Sequence, residues 1–160
     1  MVASIPTPAN SNKPEADGTG RDTARMSSVL ARAEAAVADL AKDYAGWALR
    51  DVAKARASLG SAMGDGSKRA AHVEALFRVA HDLKGQGSSF GFPLVTKIGH
   101  SLCALTRDRA RDYRAEHLEL AKSHLDAIEL VLSKGIKGEG GKVGSELVAK
   151  LESRVAEILG

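Results

Sequence analysis

The sequence is poor in the residues that staple, stack or span. It has one cysteine, one tryptophan, two tyrosines, three phenylalanines and four prolines among 160 residues. A lone Cys103 excludes an internal disulfide, and its place within Leu102–Leu105 suits a small core residue in a reducing compartment. The scarcity of aromatics disfavours a sandwich or barrel and leaves little to stack on nucleic-acid bases. No apolar run approaches the roughly 18 residues a membrane span needs, so no membrane contact is expected. The first twenty residues lack a basic start followed by an apolar run, which argues against a secretory signal. A cytoplasmic protein is the expectation. Charge of one sign is also missing: 23 basic against 20 acidic residues give +3, with the basic residues scattered, and no nucleic-acid partner is expected. No repeat of fixed period is present, which sets a solenoid aside.

What is present favours helices. Hydrophobic residues make up 44% of a chain long enough for one domain with a core. Three of the four prolines lie before residue 15 among Ser, Asn, Thr and Gly, so residues 1–25 read as a disordered tail. Residues 26–160 then read as one helical domain. Val29, Ala33, Ala36, Val37 and Leu40 recur at helical spacing, and Trp47, Leu49, Val52, Ala55 and Leu59 continue it as one bent helix or two. After Gly60, Gly64 and Gly66, Ser67 is placed to cap a helix running to about Phe90, ended by Gly91 and Pro93. Leu94, Ile98, Leu102 and Leu105 mark the next helix, and Leu118, Ala121, Leu125, Ile128 and Leu132 the one after. Five glycines within residues 135–144 form a connector to a last helix, 145–159, with Ser145 as its cap and Leu147, Leu151, Val155 and Ile158 on one face. The fold class expected is all-α: an up-and-down antiparallel four-helix bundle, core about residues 44–134, with additional N- and C-terminal helices.

One helix carries unusual chemistry. At about 100° per residue, with His81 at zero, Leu76, Val79, Leu83 and Phe90 fall between roughly 160° and 220°, so His81 faces away from the core. Glu74, Phe77, Arg78, Lys84, Gly85, Ser88 and Phe92 fall within about 60° of it. An outward mid-helix glycine costs on the order of 1 kcal/mol against alanine, so Gly85 suggests open space kept beside the imidazole. Phe77 and Phe92 read as aromatic rings on the solvent side, available for docking. Lys84, one turn on, can place an ammonium beside an anion held on the ring. A neutral imidazole nitrogen is nucleophilic near pH 7 and can carry a phosphoryl group.

The run His81-Asp82-Leu83-Lys84-Gly85-Gln86-Gly87-Ser88-Ser89-Phe90-Gly91 resembles the signature of the histidine-phosphotransfer (HPt) family, H-x-apolar-K-G, then small residues, then G. Ile98, Leu102, Cys103 and Leu105 resemble that family's next helix, and Thr106 stands where an acidic residue is frequent. The resemblance covers roughly residues 44–134. It implies a monomeric bundle that relays phosphoryl groups between aspartates of response-regulator receiver domains, one of them in a hybrid histidine kinase. His81 would be the phosphoacceptor through its outer ring nitrogen, Lys84 would steady the phosphoryl charge, and Gly85 would keep the approach open. Glu74, Phe77, Arg78, Ser88 and Phe92 would serve docking. The chain would have no ATP-dependent kinase activity and no cofactor of its own, Mg2+ belonging to the partner receiver.

A lone exposed histidine is usually a polar surface residue, and only the register with Lys84, Gly85 and Gly91 lifts His81 above that. His72, His100, His117 and His124 show neither the helical zinc pair nor the bundle di-iron spacing, so they read as structural or surface residues and no metal is expected. G-Q-G-S-S-F-G fails the spacing of nucleotide loops and follows an amphipathic helix. The phosphoacceptor and dimerisation bundle of a sensor kinase shares His81-Asp82-Leu83-Lys84 but usually continues with Thr or Asn and a proline, where Gly85 and Gln86 stand here. A non-catalytic helical adaptor or a basic nucleic-acid-associated protein is the alternative of another class.

Overall fold

The computed structural model describes residues 3–4 and 18–160. Among them the chain is all-helical, with no strand: α1 (Gly18–Gly64), α2 (Arg69–Gln86), α3 (Pro93–Thr106), α4 (Ala115–Ser133) and α5 (Gly141–Leu159), with short 3-10 turns at Gly66–Lys68 and Ser88–Phe90. It divides into two compact units, Met1–Ala36 and Val37–Gly160. None of the described helices is long and apolar enough to cross a membrane.

The described part of the first unit is the opening of α1. Helix begins at Gly18, so the last residues assigned to a tail, 18–25, are helical; most of that tail lies outside the described residues. The second unit contains the rest of α1 and the four other helices. Here α1 continues to Gly64 as one helix, through Gly46 and Gly60. Its buried face repeats as Tyr44, Ala48, Val52, Ala55, Leu59 and Ala62. Three of these six are alanines. Arg56 fixes the same helix to α4, its Nε donating to Glu129 at 2.9 Å and its Nη2 to Asp126 at 2.6 Å.

The helix ends depart from the sequence reading in instructive ways. Ser67 does not cap α2. Asp65 accepts from the Ser67 backbone N–H at 2.9 Å and hydroxyl at 2.7 Å, a local Asx turn that opens a 3-10 turn, and α2 follows from Arg69 without a side-chain cap. α2 stops at Gln86 rather than at about Phe90. α5 starts at Gly141, earlier than Ser145, because Gly140 takes a left-handed φ of 69° as the N-cap. A Cβ at Gly144 would lie 2.2 Å from the Glu139 carbonyl oxygen, so only glycine fits that first turn. α5 buries Val148, Leu151 and Val155, the stripe expected of it.

The connector before α5 is pinned as well as flexible in composition. Gly138 N–H donates to Gly91 O at 3.2 Å, Lys137 Nζ donates to Phe90 O at 3.2 Å, and Lys97 pairs with Glu139 at 2.9 Å. The first two contacts tie it to the turn that follows α2, and the third ties it to α3.

Candidate functional site

α2 turns Val73, Leu76, Ala80 and Leu83 into the core. Helical periodicity therefore sends His81 outward, and its side chain is 67% exposed. Its Nδ1 lies 3.9 Å from Asp82 Oδ1, beyond hydrogen-bond range, and its ring centroid is 6.1 Å from that of Phe77. Among the described residues nothing occupies the space one turn further on: a Cβ built at Gly85 meets no atom within 4 Å. The outward glycine thus has no packing role, as its position in the helix suggested.

Lys84 is half-buried on the flank of α2 next to α3. Burial pushes the Cys103 thiol on α3 up, and the charges of Lys84 and Arg107 only partly offset that. The close approach of the two helices depends on Gly99. A Cβ there would stand 3.0 Å from Lys84 N, 3.2 Å from Lys84 Cα and 3.3 Å from Ala80 O. Sequence reasoning passed over Gly99. Its signal was a glycine inside the apolar stripe of a helix, which usually marks a close contact.

The expected docking residues divide. Glu74 is half-buried and held by Arg78 at 2.9 Å and Arg109 at 3.2 Å, so the loop before α4 is clamped onto the side of α2 one to two turns before His81. Arg78 is itself exposed. Ser88 is exposed, but its N–H and hydroxyl both donate to Thr96 Oγ1, at 2.8 and 3.0 Å. Phe77 is only half on the solvent side, since one edge packs against the core.

Phe92 corrects the sequence reading. It is 1% exposed and belongs to the core, 5.9 Å from Tyr44 with Lys137 Nζ 4.0 Å above its ring. Extrapolating the α2 helix past Gln86 placed it outward. The chain instead leaves the helix through Gly87, turns at Ser88–Phe90 and reverses at Gly91, φ 85°. Gly87 has no room for a side chain, as its Cβ would lie 2.8 Å from both Phe92 O and Thr96 Oγ1. Phe90 is half-buried and stacks on Tyr44 at 4.6 Å. The Tyr44 hydroxyl has no partner, and burial with the nearby Asp51 charge pushes it up to about 12.

Of the remaining histidines, His117 and His124 serve structure. His124 is fully buried, bonded to Ser101 Oγ at 2.9 Å and to the Leu120 carbonyl at 2.7 Å, so its Nδ1 carries the proton and Nε2 accepts. His117 Nδ1 accepts from Arg114 N–H at 3.1 Å and closes the first turn of α4. His100 is exposed on α3 and His72 half-buried on α2. Among the described residues no three His, Cys, Asp or Glu side chains form a metal-sized cluster.

An exposed histidine followed by a lysine one turn on, an outward glycine in open space and a glycine-built reversal is the arrangement the HPt signature describes. The Hpt domain family model matches residues 26–131, well over half of the chain. The chain belongs to the Hpt domain family. The match starts earlier than the resemblance at about residue 44 and takes in part of α1 before the bundle face. It also separates the chain from the sensor-kinase phosphoacceptor bundle, which shares only the first residues of the motif. No curated protein and no solved structure matches the chain. Family membership implies histidine phosphotransfer in two-component phosphorelays and interaction with response-regulator receivers.

Proposed function

We propose that this Hpt protein is a phosphorelay intermediate in which His81 takes a phosphoryl group from the aspartyl phosphate of one receiver domain and yields it to the aspartate of another. The observation that carries the reading is the pairing of an exposed His81 imidazole with unfilled space at Gly85. In-line displacement needs the phosphorus to come within reach of the ring nitrogen with nothing between. The lone pair of His81 Nε2 forms the P–N bond as the P–O bond to the donor aspartate breaks, and that carboxylate leaves with the electron pair. Nδ1 keeps its proton, so the ring becomes cationic, and the Asp82 carboxylate 3.9 Å away opposes that charge. Lys84 faces the three phosphoryl oxygens and steadies them during and after transfer.

On this reading the chain has no nucleotide site and no cofactor of its own; the Mg2+ that assists the reaction sits in the receiver. Glu74, Phe77, Arg78 and Ser88 form the docking rim, helped by the Arg109 clamp on Glu74. Receivers of cytoplasmic response regulators and of a hybrid histidine kinase are the partners proposed, with α1–α4 as an up-and-down bundle and α5 as an addition braced on α3 and α4.

A two-stage chase tests the relay. Protein charged with labelled phosphoryl groups from one receiver is purified and mixed with a second, unlabelled receiver. Acid-labile, base-stable label that moves on to the second receiver's aspartate supports the reading. Label that never enters the protein from any receiver, or enters and leaves only to water, refutes it.

A further inference from the structure

α1 leaves a face of large apolar side chains uncovered. In the first unit Met26, Val29 and Leu30 are 61%, 59% and 55% exposed, and at the start of the second Val37, Leu40 and Trp47 are 55%, 48% and 50% exposed. In the sequence Met26, Leu30, Ala33, Val37, Leu40, Tyr44 and Trp47 follow one another at alternating steps of four and three. That is the seam of a two-stranded coiled coil. On an ideal helix Met26, Leu30, Ala33, Val37 and Leu40 fall within about 40° of Tyr44, the first large residue α1 buries.

We infer that this seam pairs with the same seam of a second copy of the chain. Half-exposed, the six side chains offer on the order of 500 Å2 of apolar surface per copy, so a symmetric pair buries on the order of 1,000 Å2, the lower bound for a specific interface. The flanks fit an identical helix: Ser27, Val29 and Ala36 border the exposed seam without charge, and Glu34 is the one charged residue among the flanking positions from 27 to 36. Arg25, Arg32 and Asp39 lie about 100° or more from the seam, where they keep the outer face wet. Ala33 at its middle lets two backbones come close. The pairing lies outside the His81 face and departs from the single-chain state that the resemblance implies.

Sedimentation of the full chain from about 1 to 100 µM tests the inference, beside the double variant Leu30→Glu/Val37→Glu. The wild type should run at twice its 16.8 kDa mass at the upper end, and the variant at 16.8 kDa throughout. Both replaced residues are exposed, so the variant should keep its helical circular dichroism and accept phosphoryl groups as the wild type does; loss of acceptance by both proteins would instead count against the relay reading. Ala33→Cys should form a disulfide-linked pair on mild oxidation, while Arg32→Cys, on the outer face, should not; the native Cys103 is buried. A wild type that stays at 16.8 kDa at every concentration overturns the inference. So does a double variant that still pairs, or an Arg32→Cys that crosslinks as readily as Ala33→Cys.

Discussion

Gly85 is where stability and function should part. It lies in the last turn of α2, exposed, with no atom within 4 Å of the Cβ it lacks. Alanine there keeps the helical backbone and restricts the unfolded chain, a gain of about 0.5–1 kcal/mol, or a melting temperature higher by about 1–4 °C for a domain of this size. Glutamine should fold equally well, since its side chain also enters open space. That space is the corridor through which the receiver's aspartyl phosphate must reach His81 Nε2. A side chain that displaces the phosphorus by about 1 Å from line costs on the order of 100-fold in rate. Single-turnover transfer from a phosphorylated receiver should therefore fall by about that factor for Gly85→Gln, and less for Gly85→Ala, while thermal melts show both variants at or above wild type. Gly99→Ala is the contrasting substitution: its Cβ meets the Lys84 backbone at 3.0 Å, α2 and α3 must part, and about 1–3 kcal/mol of stability should be lost. Wild-type transfer by Gly85→Gln, or a Gly85→Ala that melts lower, would refute the open-approach argument.

The two phenylalanines first read as docking residues should behave oppositely. Phe92→Ala opens a cavity beside Tyr44 and should cost about 3–5 kcal/mol in denaturant titration, whereas Phe77→Ala should mainly weaken receiver affinity, seen by calorimetry, with transfer at saturation largely kept. Lys84→Ala should slow transfer and shorten the phosphohistidine lifetime without abolishing acceptance; an unchanged rate and lifetime would reduce Lys84 to a surface charge. Burial lowers the pKa of His124, the bond to the Leu120 carbonyl only partly opposing it. Below about pH 6.5 the unfolded chain binds a proton there that the folded chain refuses. Stability contributed by the neutral ring is therefore present above that pH and is lost as pH falls toward the folded value. Melting temperatures between pH 7 and 5 should drop less steeply for His124→Gln than for the wild type.

Helical periodicity carried the fold because each helix buries one stripe, and stripes such as Leu94, Ile98, Leu102 and Leu105 need only spacing to be seen. It carried His81 and Gly85 for the same reason, since both lie inside α2 where 100° per residue holds. It failed seven residues after Gly85. Phe92 follows a 3-10 turn and a left-handed Gly91, and no helical wheel continues through such a reversal. Gly99 was missed because its role depends on another helix: the atoms it admits, Lys84 N and Ala80 O, are a tertiary neighbour. The caps slipped for a local reason. Asp65 and Gly140 had chemistry as good as Ser67 and Ser145, and the Asx turn at Asp65 and the tight first turn at Gly144 decided between them.

The most direct measurement is phosphoryl acceptance by His81→Gln. Because the side chain is 67% exposed and makes no hydrogen bond among the described residues, the variant should melt within about 0.5 kcal/mol of the wild type. Incubated with a labelled phospho-receiver, the wild type should take up acid-labile, base-stable label that peptide mapping puts on residues of α2. The variant should take up none. Label persisting on a folded His81→Gln protein, on His100 or any other side chain, would contradict the account.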